Sequence, residues 1–155
     1  MIRVELPPSE AAKIEQMCRR WGDVETGGVL FGEHIAQNSF RVASLTRMPL
    51  SRGMIASFVR SLEHARKACS EFFRRTRSDF MRFNYLGEWH SHPRFELFPS
   101  QKDDETMWEL VADPGVGANF VVLIIVKLTE NKLATRAWAY FPDRQRQDVD
   151  LHQPV

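Results

Sequence analysis

The chain has 155 residues, a hydrophobic fraction of 43%, a charged fraction of 26% and a formal net charge of +1, a profile that suits one globular domain around one core. The balance of 21 basic against 20 acidic residues gives no global attraction to nucleic acid or an anionic membrane, and neither is expected as a partner. Two cysteines, Cys18 and Cys69, fall inside apolar helical patterns and read as reduced thiols. The opening MIRVELPPSE lacks the basic and apolar blocks of a signal peptide, and the longest apolar run, near Asn119–Val126, is far short of a membrane span. A cytoplasmic protein is expected.

Ile2–Leu6 alternates apolar and polar residues, as a half-buried strand does, and Pro7-Pro8 stops it. Ser9 is the expected N-cap of a helix that carries Ala12, Ile14, Met17, Cys18 and Trp21 and ends at Gly22. Gly27–Gly32 reads as a buried strand with a close backbone approach at its start, and Phe40–Met48 as its partner. Pro49–Met54 is a loop. Ile55, Phe58, Val59, Leu62, Ala65, Cys69, Phe72 and Phe73 then recur at helical spacing. Asn84–Trp89 is a strand and His90–Pro99 a loop. Ser100 opens a helix to about Ala112, closed by Asp113-Pro114-Gly115. Asn119–Val126 and Lys132–Tyr140 are strands joined by a turn at Thr129-Glu130-Asn131. This order predicts a single α/β (α+β) domain over residues 1–142, a mixed sheet flanked by helices, followed by a polar, loose tail over 143–155.

Chemistry concentrates in Gly87-Glu88-Trp89-His90-Ser91-His92-Pro93 and Ser100-Gln101-Lys102-Asp103. Alternation along a strand sends His90 and His92 to one side and Trp89 and Ser91 to the other. Two imidazoles spaced this way can chelate one metal, although such a pair alone is more often polar edge decoration. Asp103, in the first turn of the next helix, is the candidate third ligand. It is equally the acidic partner of a capping box begun by Ser100, and a capped helix start is a stiff way to aim a carboxylate. Two imidazoles and a carboxylate suit Zn²⁺, and the same set also takes iron or cobalt. Glu88 shares the parity of the histidines and is expected to act behind them or in a buried ion pair. His34 and His64 have no companion at ligand spacing and read as structural. Glu33 is a fallback base.

The run His-x-His, seven residues, Ser, two residues, Asp, with Glu25 upstream before Thr26-Gly27-Gly28-Val29-Leu30-Phe31-Gly32, resembles the motif of the JAMM metalloproteases, also called the JAB or MPN-plus family. The resemblance spans most of the chain. It implies a JAB/MPN sandwich of the cytidine-deaminase-like kind and one Zn²⁺ held by His90, His92 and Asp103. It also implies Glu25 as general base and Ser100 as hydrogen-bond donor to the oxyanion.

Tyr85–Pro93 and the preceding helix with Phe58-Val59-Arg60 and His64 are similar to the stand-alone bacterial branch, found beside E1- and E2-like enzymes and in CBASS anti-phage systems. That branch implies an isopeptidase that frees the C-terminus of a conjugated protein from a target lysine. The conjugated protein would be a cyclic-nucleotide synthase, which the resemblance favours, or a ubiquitin-like protein. Pro49–Met54 and the loop Arg94–Pro99 flank the expected site. Arg94, Phe95 and Phe98 are candidates for contacts with the substrate tail, and Phe95 and Phe98 read equally well as pins of the loop to the core. Three other readings stand beside this one: a non-catalytic MPN-type interaction module, a metallopeptidase acting on a sulfur-carrier-like protein, and a nucleic-acid-linked role like that of the DNA-repair-associated JAB proteins, against which the neutral charge balance counts.

Overall fold

The structure, a computed structural model, describes residues 1–48 and 66–155. The expected loop Pro49–Met54 and most of the long helix, including Phe58-Val59-Arg60 and His64, lie outside them. In chain order the elements are β1 (Arg3–Glu5), α1 (Pro8–Trp21), β2 (Gly27–Ala36), β3 (Ser39–Leu45), α2 (described over 66–75), β4 (Phe83–Ser91), α3 (Gln101–Ala112), β5 (Val121–Thr129), β6 (Lys132–Tyr140), β7 (Arg146–Asp148) and β8 (Asp150–His152). They form one α/β domain on a single mixed sheet, ordered β7-β6-β5-β4-β2-β3-β1-β8, as expected. β4–β5, β1–β3 and β1–β8 are parallel and the other pairs antiparallel.

Both faces of the sheet are covered, which explains the unbroken apolar run of β5. Val122, Ile124 and Val126 face α1 and join Val4, Leu6, Ile14, Cys18, Leu30, Leu86 and Trp89 in one core. Val121, Leu123 and Ile125 face α3, against Met107, Leu110 and Val111. On this second face, Val29 and Phe31 of β2 pack separately with Met48 and with Phe72 of α2. β4 lies between β5 and β2, so its residues on the α3 face fall between these two clusters.

Two expectations are corrected. α1 is not capped by Ser9: Pro7 is the N-cap and makes no side-chain cap bond. Pro8 occupies the first turn, where its fixed φ starts the helix and its missing N–H costs nothing. The polar tail is not loose. Residues 146–152 run extended between the two ends of the sheet. β7 pairs with β6, β8 pairs with β1, and between them the N–H of Val149 donates to Ala137 O at 3.0 Å and that of Asp150 to Ile2 O at 3.0 Å. This clasp closes the sheet around α1 and leaves few free edges. Val149 is buried at the join, and Arg146 pairs with Asp104 of α3 at 2.8 Å. The segment escaped the sequence reading because the main-chain ladder holds it, with few apolar side chains to mark it.

Candidate metal centre

The site begins with an irregularity in β4. Leu30 pairs with Gly87 but Phe31 pairs with Tyr85, so one extra residue is accommodated there as a β-bulge. Gly87 has φ +148°, and a Cβ on it would meet Val122 O at 1.9 Å, so no other residue fits. The bulge resets the alternation. Leu86 and Trp89 both enter the α1 core, whereas Glu88, His90 and His92 emerge on the α3 face. Trp89 is core, as expected, and its indole N–H donates to Thr46 O at 3.0 Å. At Gly28 a Cβ would meet the same carbonyl at 1.6 Å, the close approach expected at the start of this strand.

From the other side, α3 supplies Asp103. Ser100 is its N-cap: Ser100 Oγ accepts from the Asp103 N–H at 3.1 Å, and the Ser100 N–H donates to Asp103 Oδ2 at 2.7 Å. The box holds Asp103, 5% exposed, against the end of β4. His90 Nε2 lies 3.5 Å from Asp103 Oδ1, His92 Nε2 lies 3.4 Å from Asp103 Oδ2, and the two Nε2 atoms are 3.0 Å apart. Donor atoms around a tetrahedral zinc, each about 2.0–2.2 Å from it, stand roughly 3.3–3.5 Å apart. The three side chains therefore fit such an ion, and they form a group that can hold a metal.

Hydrogen bonding fixes the ring chemistry. His92 Nδ1 lies 2.9 Å from Glu96 O. A carbonyl only accepts, so Nδ1 carries the proton and the neutral ring presents a lone pair on Nε2 toward the cluster. Burial alone opposes ionisation of Asp103, but contacts with His90 and His92 and the Ser100 N–H outweigh it and hold the carboxyl far below its ordinary range. An anionic oxygen is thus available at the cluster. Burial raises the Glu88 carboxyl above its ordinary value; the nearby His90 opposes the shift and Asp103 adds to it. Glu88 sits behind the cluster and supplies no ligand atom to it.

Glu25 approaches along the β2–β4 ladder. Gly27 pairs with His90, Ser91 N–H donates to Thr26 O at 2.8 Å, and Thr26 N–H donates to Ser91 Oγ at 2.9 Å. The next step along this ladder brings half-buried Glu25 beside His92. Burial tends to lower the His92 pKa, but the bonds to Asp103 and Glu96 and the charges of Asp103 and Glu25 raise it overall. Among the described residues no hydrogen bond or ion pair engages the Glu25 carboxylate.

The loop candidates divide. Arg94 pairs with Asp23 at 3.1 Å, both exposed. Phe95 is 63% exposed, with its ring edge-on to His92 at 6.1 Å. Phe98 packs edge-on to Trp138 at 5.7 Å and remains 46% exposed. Glu33 is not brought to the cluster: it pairs with Arg82 and Arg41 near the opposite end of β4, where it stands beside Phe83. His34 is stacked on Phe40 at 5.2 Å, away from the cluster. The sequence reading missed Lys127, whose Nζ donates to Phe95 O at 3.0 Å. Its only signal was a lysine inside an otherwise apolar strand.

The fold and cluster together define an α/β domain with three side chains at the end of a bulged strand spaced so that they could hold a metal. The chain belongs to the prokaryotic homologs of the JAB domain, whose family model matches residues 7–140. Two solved structures share the fold. One is a protein from Desulfitobacterium hafniense, with a TM-score of 0.60 and 15% identity, over 98% of this chain and 94% of that one. The other is a protein from Salinibacter ruber, with a TM-score of 0.56 and 22% identity, over 97% of this chain and 91% of that one. No curated protein matches the chain. No helix among the described residues is long and apolar enough to cross a membrane.

Proposed function

We propose that this protein is a zinc-dependent isopeptidase of the JAMM type. It cleaves the amide between the C-terminus of a conjugated protein and a target lysine. The observation that carries the reading is the convergence of His90, His92 and Asp103 at ligand spacing with the Glu25 carboxylate alongside. A bound zinc ion would supply Lewis acidity and lower the pKa of water to near neutrality. Glu25, close to His92, takes a proton from the attacking water and returns it to the departing lysine amine. The Ser100 hydroxyl uses its oxygen in the helix cap. Its own hydrogen is left to donate to the oxyanion as negative charge develops. Glu88, with its raised pKa, backs the ligand cluster without closing it.

Exposed Phe95 and Phe98 offer apolar footing for an extended substrate tail beside the cluster, and Arg94 lies at its rim. The substrate class we favour is a CBASS cyclic-nucleotide synthase joined through its own C-terminus, encoded near E1- and E2-like enzymes and acted on in the cytoplasm. A ubiquitin-like protein is the alternative cargo. Elemental analysis of the purified protein should find about one zinc per chain, lost in His92→Ala. A lysine conjugate carrying the synthase tail should be cut by the wild type, while Glu25→Gln keeps its zinc and does not cut. A wild type that holds no metal and takes none up from added zinc sinks the catalytic reading.

A further inference from the structure

The bond from His92 Nδ1 to Glu96 O decides which imidazole nitrogen faces Asp103 and His90. That carbonyl belongs to an irregular loop, and exposed residues 94–96 do little to pin it. The Arg94–Asp23 ion pair joins side chains that are 69% and 76% exposed, so it constrains the loop weakly. The Phe98 N–H also donates to Glu96 O, at 2.8 Å, but Phe98 lies in the same loop. On its C-terminal side the loop is anchored by Leu97, packed against the α3-face cluster, and by Phe98 on Trp138; on its N-terminal side a tether reaches it from the sheet. Lys127 Nζ donates to Phe95 O at 3.0 Å, one residue before the carbonyl that meets His92.

Lys127 is placed for this role by β5. Ser91 pairs with Val126, and the His92 N–H donates to Val126 O at 2.9 Å, so Lys127 is the strand neighbour of His92. Strand alternation from Val121, Leu123 and Ile125 puts both on the α3 face. Among the described residues no carboxylate pairs with its ammonium; it is committed to a main-chain oxygen. A cation beside a dication site is electrostatically unfavourable, so the placement calls for a compensating role.

We propose that Lys127 is a positioning residue: by holding the Phe95–Glu96 backbone against β5, it keeps the His92 ring in the tautomer that presents Nε2 to the metal. The proposal rests on the zinc reading above. Chains of this kind, behind a metal-ligating histidine, set ring orientation and ligand basicity.

The test uses Lys127→Met, which keeps the aliphatic stem, and Lys127→Arg, which restores a cationic donor. Zinc affinity is measured by competition with a chromophoric chelator. The His92 tautomer is read from ring ¹⁵N–¹H correlations in the metal-free protein, at a pH where the ring is neutral. Lys127→Met should weaken zinc binding about ten-fold and turn a single Nδ1–H tautomer into a mixture. The melting temperature of the metal-free protein should barely move. Lys127→Arg should recover most of the affinity and the single tautomer. A Met variant that binds zinc like the wild type and keeps one tautomer overturns the proposal. So does a loss of affinity that tracks lost stability and that Arg fails to rescue. If the wild type binds no zinc, the zinc reading fails by itself. The tautomer comparison then still decides whether Lys127 positions His92.

Discussion

On the α1 face, the closed sheet wraps a continuous apolar core that gathers Trp89, Leu30, Val122 and Ile124, and the one charged residue that α1 buries, Glu10, is paired with Lys13 at 2.8 Å. On the α3 face, the apolar side chains divide into one cluster under α3 and another under α2, and Glu88, His90, His92 and Asp103 occupy the ground near β4. The same strand serves both. Its inward residues are chosen by volume and its outward residues by chemistry. The difference teaches that a polar cluster of this kind needs ground that neither apolar cluster claims, past the point where Tyr85 bridges the two, and that the opposite face provides the rigidity to hold it.

Gly87→Ala should show the largest effect, because the bulge at Gly87 couples the two faces. The new Cβ would meet Val122 O, and the backbone has φ +148°. We expect a loss of roughly 4 kcal/mol, read by urea denaturation. Zinc content of the remaining folded protein should fall too, because β4 can relax only by turning His90 and His92. A variant of near wild-type stability would show that the bulge is not what separates the faces. Deleting 143–155 should come next and act on the α1 face. It removes buried Val149 and the main-chain bonds to Ala137 and Ile2, for about 3 kcal/mol. Zinc affinity of the folded fraction should be preserved, since the segment's contacts on the α3 face engage no ligand residue: Arg146 pairs with Asp104 and lies over the Phe98 ring, Arg144 lies over the Trp108 ring, and the Trp108 indole N–H donates to Gln145 O.

These two features were also the least legible in the sequence. Strands β5 and β6 announce themselves, and β6 runs over Lys132–Tyr140 as its pattern predicts. The His90-x-His92 spacing and the Ser100–Asp103 box are local patterns, so their geometry followed from strand parity and helix capping. The bulge is imposed by a contact with Val122, 35 positions away in the chain, and nothing in Leu86-Gly87-Glu88 alone distinguishes it from a plain strand glycine. The clasp is a polar segment whose strand character comes from two partners at opposite ends of the sheet. Pro8 over Ser9 at the start of α1 was legible in principle, because proline favours the first helical turn and needs no side-chain cap.

Replacing Ser100 tests the α3 face alone and separates two jobs in one residue. Ser100→Ala should lower stability by about 1 kcal/mol through loss of the cap, and should lower turnover by about a hundred-fold if the hydroxyl meets the oxyanion. Ser100→Gly retains most of the cap's worth, with only a few tenths of a kcal/mol lost, but supplies no donor. Turnover should therefore fall equally in both variants while stability falls mainly in the first. Turnover that follows stability would leave Ser100 a cap and nothing more.

Cys18 probes the α1 face most gently. The thiol is buried in that core, and burial, assisted by the negative charge of Glu15, pushes its pKa up to about 11 from 9.0. The folded chain therefore holds this proton longer than the unfolded chain does. Stability is unaffected below about pH 9 and declines as pH rises from there toward about 11, because the unfolded state ionises first. At pH 10 the loss should be less than about 1 kcal/mol once solvent screening is discounted. Other buried groups, Tyr85 among them, titrate at high pH in the same direction. The measurement is therefore the difference in slope between the wild type and Cys18→Ala, by urea denaturation between pH 8 and pH 10.5. A shallower slope in the variant marks a dry, closed core around α1. Equal slopes would mean that water reaches Cys18, and that the clasp closes the sheet less tightly than its hydrogen bonds indicate.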